Sequence, residues 1–467
     1  MAETVKKDNK EKNVVLIMTD QMKAASSKLW GNSFCETPAL AGLAENGVLY
    51  SNAVTPCPLC VPSRISFFTS QYPHQHGSRH NNTLMPDGAR HAVEIWKENG
   101  YKTGLIGKNH CFERMEDRML FDVWCEIFHW NIPGSAWSKG MEWYRPVSGI
   151  QKAHEIRSQM RVPTEQTVAG GMPIHRSTFA YAYSDYPLED YSTGLIAGQT
   201  KRFLERYKDE PFFLWVSFPD PHTPYEAPRR YFDMFYKGEM ELPPWRKEEM
   251  ERVPERTKVL YQILGMDHEK EEHIRGVLAA YYGMVKFIDD SVASILSDLA
   301  ELGLEEETIV VFCSDHGDFA GEHMMTQKGG CFYDCLTRVP LIVSLKGASW
   351  AGRTEKSPVS LIDVIPTLFE LQNIPVPKSM EGTLLPGVYP VEGREAAFSE
   401  YGAGGAFYTM EHLLNRPVTR GLDPLIATLK EREAEGLRKM VRTEKWKYVH
   451  DPLGDLDELY DLENNPW

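Results

Sequence analysis

Asp20, the pair Lys108 and His110, His222, and the pair Asp315-His316 each stand just beyond a short apolar run. The runs are Asn13 to Met18 (NVVLIM), Thr103 to Gly107 (TGLIG), Pro211 to Phe218 (PFFLWVSF) and Thr308 to Cys313 (TIVVFC), and each reads as a buried strand. Carboxylates and imidazoles can ligate a divalent cation, while lysine and histidine can hold an oxyanion or move a proton. Ligands of open α/β sheets bind beyond the carboxyl ends of the strands, so these positions are expected to converge on one edge. Taken alone, Asp20 would read as a helix cap and Asp315-His316 as a turn.

Cys60 lies in Cys60-Val61-Pro62-Ser63-Arg64. Pro62 suits the first turn of a helix that continues from Ser63 to Ser70, which puts residue 60 where free N–H groups and the positive helix end favour an anion. The same cysteine also closes Cys57-Pro58-Leu59-Cys60, a spacing shared by redox pairs and half zinc sites, yet no second such pair exists in the chain. Cys57 reads as a packed thiol. Cys331 and Cys335, four apart, read as buried structural thiols.

These groups need a scaffold. A helix is expected after Thr37 as N-cap and Pro38 as first residue, stopping at Asn46-Gly47. A longer one, from about His273 to Leu302, repeats Ile274, Val277, Leu278, Tyr281, Val285, Ile288, Val292 and Ile295 at helical spacing. Val339 to Leu345 adds another strand. Alternating strands and helices predict an α/β fold: a large, mostly parallel sheet sandwiched by helices. After Val391 the pattern changes, with Ala396 to Tyr401, Lys439 to Thr443 and Trp446 to His450 reading as antiparallel strands. The expected division is therefore a catalytic domain, 1–390, and a small C-terminal α+β domain, 391–467.

Less specific features surround this frame. Trp124, Trp130, Trp137 and Trp143 mark the stretch from Trp124 to Tyr191 as an insertion near a substrate entrance, with aromatic packing the simpler role. His74, His76 and His80 crowd one loop, and Glu322-His323 follows the Asp315 segment; both read as structural groups or pocket lining. Asp289-Asp290 reads as a solvated or structural pair.

Composition limits the function. Hydrophobic residues at 42% and charged residues at 25% describe a globular chain with a sizeable core. A formal charge of −15 repels nucleic acid, anionic membranes and long polyanions, so an anionic substrate requires a local cationic pocket. No apolar run approaches a membrane span, and the charged start MAETVKKDNKEK has no apolar core behind it, which predicts a cytoplasmic protein; removal of an export signal would make it periplasmic or secreted. Eight cysteines in 467 residues are too sparse for a disulfide scaffold.

Cys60 to Arg64 resembles C-x-P-S-R, the signature of the formylglycine-dependent sulfatases. Similar segments follow the family's order: Leu16 to Gln21, Thr37 to Val48, Gly107 to His110, Pro219 to Pro224, Ser314 to Asp318 and Glu458 to Pro466 (ELYDLENNP). The resemblance implies an alkaline phosphatase-like fold and hydrolysis of a small organic or carbohydrate sulfate ester. It implies that a formylglycine-generating enzyme converts Cys60 to formylglycine (3-oxoalanine). One divalent cation, calcium with magnesium or manganese as alternatives, would be held by Asp20, Gln21, residue 60, Asp315 and His316. Arg64 would steady the nucleophile or the metal, with Pro62 and Ser63 read mainly by the modifying enzyme. Lys108 would hold sulfate, His110 would take a proton from the nucleophile's second hydroxyl, and His222 with Lys328 would hold sulfate and protonate the leaving alcohol.

The chain departs from the family in places. Gln21 and His316 stand where many members have Asp and Asn, a variant shared with choline sulfatase and the phosphonate monoester hydrolases. Ser70 replaces a glycine in Thr69-Ser70-Gln71-Tyr72-Pro73, and relatives commonly continue past the position of Trp467. Two other readings remain: a phosphonate monoester or phosphodiester hydrolase of the same superfamily, and an unmodified thiol protein that binds anions or metal without turnover. A homo-oligomer is compatible with the sequence.

Overall fold

A computed structural model describes residues 12–128, 133–139, 181–244, 246, 248–266, 271–414, 433 and 435–464. Its elements in chain order are β1 (Asn13–Asp20), α1 (Pro38–Glu45), β2 (Gly47–Tyr50), α2 (Cys60–Thr69), β3 (Lys102–Gly107), β4 (Val123–Ile127), β5 (Pro133–Lys139) and α3 (Ser192–Tyr207). Then come β6 (Phe212–Pro221), α4 (Glu271–Glu301), β7 (Thr308–Ser314), β8 (Leu341–Ser344), β9 (Arg353–Glu355) and α5 (Val364–Leu371). The chain closes with β10 (Ala397–Tyr401), β11 (Arg438–Arg442), β12 (Trp446–His450) and β13 (Glu458–Asp461).

The large sheet has nine strands in the order β9-β2-β8-β7-β1-β6-β3-β4-β5. Its centre, β7-β1-β6-β3-β4, is parallel, whereas β8 and β5 join antiparallel at the two flanks. Side chains alternate across the central strands, so Val15 and Ile17 of β1 enter one core and Val14, Leu16 and Met18 the other. Residues of α3 and α4 fill the first core, and α2 and α5 the second. Helices on both faces are what allow continuous apolar strands.

Local predictions were altered where a distant partner intervened. The run from Val339 to Leu345 divides at Pro340, which has no N–H for a ladder. Arg338–Val339 pairs with Ala53–Val54 in a three-stranded sheet, while β8 joins β7. Thr37 does precede α1, but its hydroxyl bonds Ser27 at 2.6 Å, and the Leu40 N–H is taken at 3.0 Å by Asp289, reaching over from α4. Asp289 is thus a buried structural carboxylate. Trp124 belongs to core strand β4 and not to an entrance insertion. Trp137 lies on β5, and Trp130 and Trp143 fall outside the described residues.

The four C-terminal strands form an antiparallel sheet in the order β10-β11-β12-β13. Ala397, Tyr401, Met440 and Val449 from it pack against Val54, Cys57, Leu59 and Phe332, directly behind the loop that leads to Cys60. Arg442 and Lys447 also grip Asp334 at 3.0 Å each. All eight cysteines are buried and none is in a disulfide, and among the described residues no helix is long and apolar enough to cross a membrane.

Ser70 explains the glycine usually found at its position. It caps α2 in the left-handed conformation, at φ 53° and ψ 41°, which costs an ordinary residue about 1–2 kcal/mol. Its side chain offsets that cost by donating to Ile362 O at 2.7 Å and accepting from Gly382 N at 3.1 Å. Ser70→Ala should therefore destabilise by about 1–3 kcal/mol, since it keeps the strain and strands two buried groups. Ser70→Gly should lose less, because glycine relieves the strain, and urea unfolding of the two variants gives the order directly.

Candidate active site

β1 and β7 lie side by side and end together, so Asp20 closes one strand while Asp315 follows the other. Both side chains are fully buried, and one guanidinium joins them: Arg64 Nη2 reaches Asp20 Oδ2 at 2.9 Å, and Nε reaches Asp315 Oδ2 at 2.9 Å. Nη1 continues to Ser217 Oγ at 2.9 Å on β6 and to Lys108 O at 3.1 Å after β3. Arg64 therefore ties together four adjacent strand ends.

Arg64 and Cys60 are four residues apart in α2 and share a face, so anchoring the arginine also places the cysteine. Cys60 Sγ lies 3.6 Å from Asp20 Oδ1 and 3.2 Å from His316 Nε2. His316 Nδ1 faces Gly317 O at 2.8 Å, which holds a proton there and turns Nε2 toward the cluster. Gly317 has no room for a side chain, because a Cβ would fall 1.9 Å from Cys335 O. Gly107 has a φ of 109° and would meet Ser217 O at the same distance; it turns the chain so that Lys108 Nζ reaches Asp20 Oδ2 at 2.6 Å.

The helix N-terminus itself does less than expected for an anion. Asn81 Oδ1 takes the Val61 N–H at 3.1 Å, and Pro62 has none. Positive side chains supply the attraction instead. Lys328 Nζ lies 2.7 Å from Gln21 Oε1 and 2.8 Å from His222 Nε2, and His222 Nδ1 donates to Thr223 O at 2.5 Å. His110 has a φ of 66° and a buried Nδ1 with no hydrogen-bond partner.

Burial alone would raise the Asp20 pKa, but Lys108, His222, Arg64 and Lys328 hold it well below the ordinary carboxylate value. Burial, then Lys328 and Lys108, press His222 down to about 4, so its imidazole is neutral near pH 7. Burial and Asp20 push the Cys60 thiol up, yet Lys328, Lys108 and His316 outweigh them and its pKa lies well below the ordinary value.

The donor set suits a divalent cation. Asp20, Cys60, Asp315 and His316 are all buried and each offers an atom within 4.8 Å of the others. Two neighbouring carboxylates, a directed imidazole nitrogen and the Gln21 carbonyl match the preferences of calcium, magnesium or manganese. Nine of the sequence-predicted site residues are thus linked by contacts at one edge: Asp20, Gln21, Cys60, Arg64, Lys108, His222, Asp315, His316 and Lys328; His110 follows Lys108 by two residues.

Other candidates have structural partners. His76 bonds Ser66 Oγ at 2.8 Å, and burial lowers its pKa to about 3; His74 pairs with Glu400 at 2.8 Å. Glu322 pairs with Lys23 at 2.8 Å, while His323 contacts Glu249 at 3.2 Å and stacks on Tyr333. Ser63 has a structural role that its place in the signature does not reveal: its hydroxyl and that of Thr55 bond Asp315 O at 2.6 and 2.7 Å. Asn81, Tyr225 and Asp318 were also missed as support. Only Asp318 carried a sequence signal, at the end of the Ser314 to Asp318 segment.

Removing one partner of a buried charge network costs about 3–5 kcal/mol. Arg64→Met should lower stability by that amount in a chelator and recover part of it when calcium is added, because a cation can neutralise the two carboxylates left behind. Thermal unfolding with and without calcium measures both effects, and an unchanged midpoint in chelator would contradict the assigned role of Arg64.

The Sulfatase family profile matches residues 12–374. An arylsulfatase of Clostridium perfringens is 29% identical over 83% of this chain and 80% of its own. A choline-sulfatase of Rhizobium meliloti is 27% identical over 97% and 81%, respectively. Among solved structures, a phosphonate monoester hydrolase of Agrobacterium radiobacter has a TM-score of 0.71 at 24% identity, covering 97% of this chain and 90% of that one. A structure holding its substrate, D-glucosamine-2-N,6-O-disulfate, has a TM-score of 0.68 at 19% identity, covering 98% and 92%. These two establish likeness of fold, whereas the family match spans most of the sequence and takes in every residue gathered at the sheet edge: the chain belongs to the sulfatase family and is a sulfatase enzyme.

Proposed function

We propose that the protein hydrolyses sulfate esters, R–O–SO3⁻, with a hydrated formylglycine made from Cys60 by a formylglycine-generating enzyme. The carrying observation is the position of Cys60 Sγ, 3.6 Å from Asp20 and 3.2 Å from His316, in a pocket flanked by Lys108 and Lys328. In the mature protein an oxygen of the aldehyde hydrate takes the place of that sulfur. Asp20, Gln21, Asp315, His316 and residue 60 would hold one divalent cation, calcium by preference, with magnesium or manganese as alternatives. When bound, the cation polarises the sulfate oxygens and makes the attacking hydroxyl more acidic.

One hydrate hydroxyl gives its proton to Asp20, whose Oδ1 lies 3.6 Å from the sulfur that this hydroxyl replaces, and forms an O–S bond as the S–O bond to the alcohol breaks. Lys108 and Lys328 stabilise the charge spread over the sulfate oxygens. The alkoxide takes a proton from the Lys328–His222 pair, where the mobile proton rests on Lys328 because His222 is neutral. The second hydroxyl then gives its proton to His110, the carbon–oxygen bond to sulfate breaks, the aldehyde re-forms, and water hydrates it again. The open Nδ1 of His110 supports this assignment.

The substrate we favour is a small organic or carbohydrate sulfate, supported by the choline-sulfatase relative and by the −15 charge, which opposes long polyanions. We place the chemistry in 1–390 and give 391–467 a supporting role behind the nucleophile loop. Gln21 and His316 favour a second reading, hydrolysis of phosphonate monoesters or phosphodiesters, while Lys108 and His110 favour sulfate. Parallel assays of an aryl sulfate, a phosphodiester and a phosphonate monoester should give the largest kcat/KM for sulfate. A dominant phosphonate or phosphodiester rate would reverse the assignment.

A further inference from the structure

Gln21 sits immediately after β1 at a φ of 70°, and both ends of its amide are engaged. Nε2 donates to Asp318 Oδ2, and Oε1 accepts from Lys328 Nζ at 2.7 Å. A carboxylate accepts only from the NH2 end and an ammonium donates only to the carbonyl end, so one orientation alone satisfies both partners. Asp318 is itself fixed, by Ala320 N at 2.6 Å and by the Tyr225 hydroxyl at 2.9 Å. That hydroxyl accepts from Gln327 N at 3.0 Å, one residue before Lys328. Gln21, Asp318 and Tyr225 are wholly buried, which makes these bonds strong and their loss costly.

We propose that Asp318 is the positioning residue that makes Gln21 a metal ligand, by locking the amide so that carbonyl Oε1 faces the donors Asp20, Asp315 and His316. The proposal rests on the cation site described under Proposed function. Oε1 has two lone pairs, one for Lys328 and one for a cation. The same contact explains why glutamine stands at position 21. A carboxylate there would face Asp318 with like charge, which an amide avoids by donating to Asp318 instead. Through Tyr225 and Gln327, Asp318 also connects Gln21 to the segment that delivers Lys328. One carboxylate thus sets the cation ligand and the sulfate-holding lysine together.

Titration calorimetry with calcium and with manganese, on the full chain and three variants, tests this. Asp318→Asn should weaken cation binding by about 10–100-fold, because an amide has one oxygen for the two N–H groups, of Ala320 and of the Gln21 side chain, that the carboxylate accepts on separate oxygens. In the Gln21→Asp background the same change should cost nothing or improve affinity, because a carboxylate needs no orienting and the like charge is gone. Equal affinity in the parent and Asp318→Asn, or an equal loss in both backgrounds, would overturn the positioning role while leaving the cation site intact. No binding by the parent would overturn the cation site and the proposal with it. If Asp318→Asn does not fold, Tyr225→Phe, which removes one donor from the same carboxylate, should still weaken binding by a smaller factor; unchanged affinity would count against the proposal.

Discussion

The site depends on one buried guanidinium. Asp20 and Asp315 lie at neighbouring strand ends with no exposure to water, a placement that repulsion and desolvation would forbid without compensation. Arg64 compensates both carboxylates, and because it rises from the same helix face as Cys60, the interaction that neutralises the acids also aims the reactive residue. Electrostatics and positioning are therefore one constraint. The −15 charge of the chain does not conflict with an anionic substrate, since Lys108, Lys328 and Arg64 create a local field that the surface charge does not share.

The fold supplies stiffness around this point. Five parallel strands, each packed on both faces, bring their carboxyl ends to one edge. The helix α2 is buried along its whole length, so Cys60 has little freedom. From behind, the C-terminal sheet packs Tyr401 and Met440 against Cys57 and Leu59, supporting the approach to α2. The layout resembles other ligand sites of open α/β sheets, with loops carrying the chemistry and the sheet fixing their roots.

Much of this was legible in the sequence because the information was local. Apolar runs ending in Asp20, Lys108, His222 and Asp315 described strands and their reactive ends, and the strands form within a few residues of those runs. What escaped the sequence was long-range. Thr37 has the residue type of a cap, yet the acceptor for Leu40 comes from Asp289, 249 positions away. Ser70 is tolerated in a left-handed turn only through Ile362 and Gly382. Trp124 resembled its aromatic neighbours in composition but pairs into the core. Asp318 and Asn81 support the site through partners that no spacing rule connects.

The central claim is that an aldehyde hydrate at residue 60, held in this cluster, performs the chemistry. The most direct measurement compares preparations made with graded amounts of a formylglycine-generating enzyme, reading the fraction of residue 60 present as aldehyde from the peptide mass and the sulfate released per chain from the same sample. The account predicts release in proportion to that fraction, falling to background when residue 60 is all thiol. Full sulfate release from chains carrying only the thiol would contradict it.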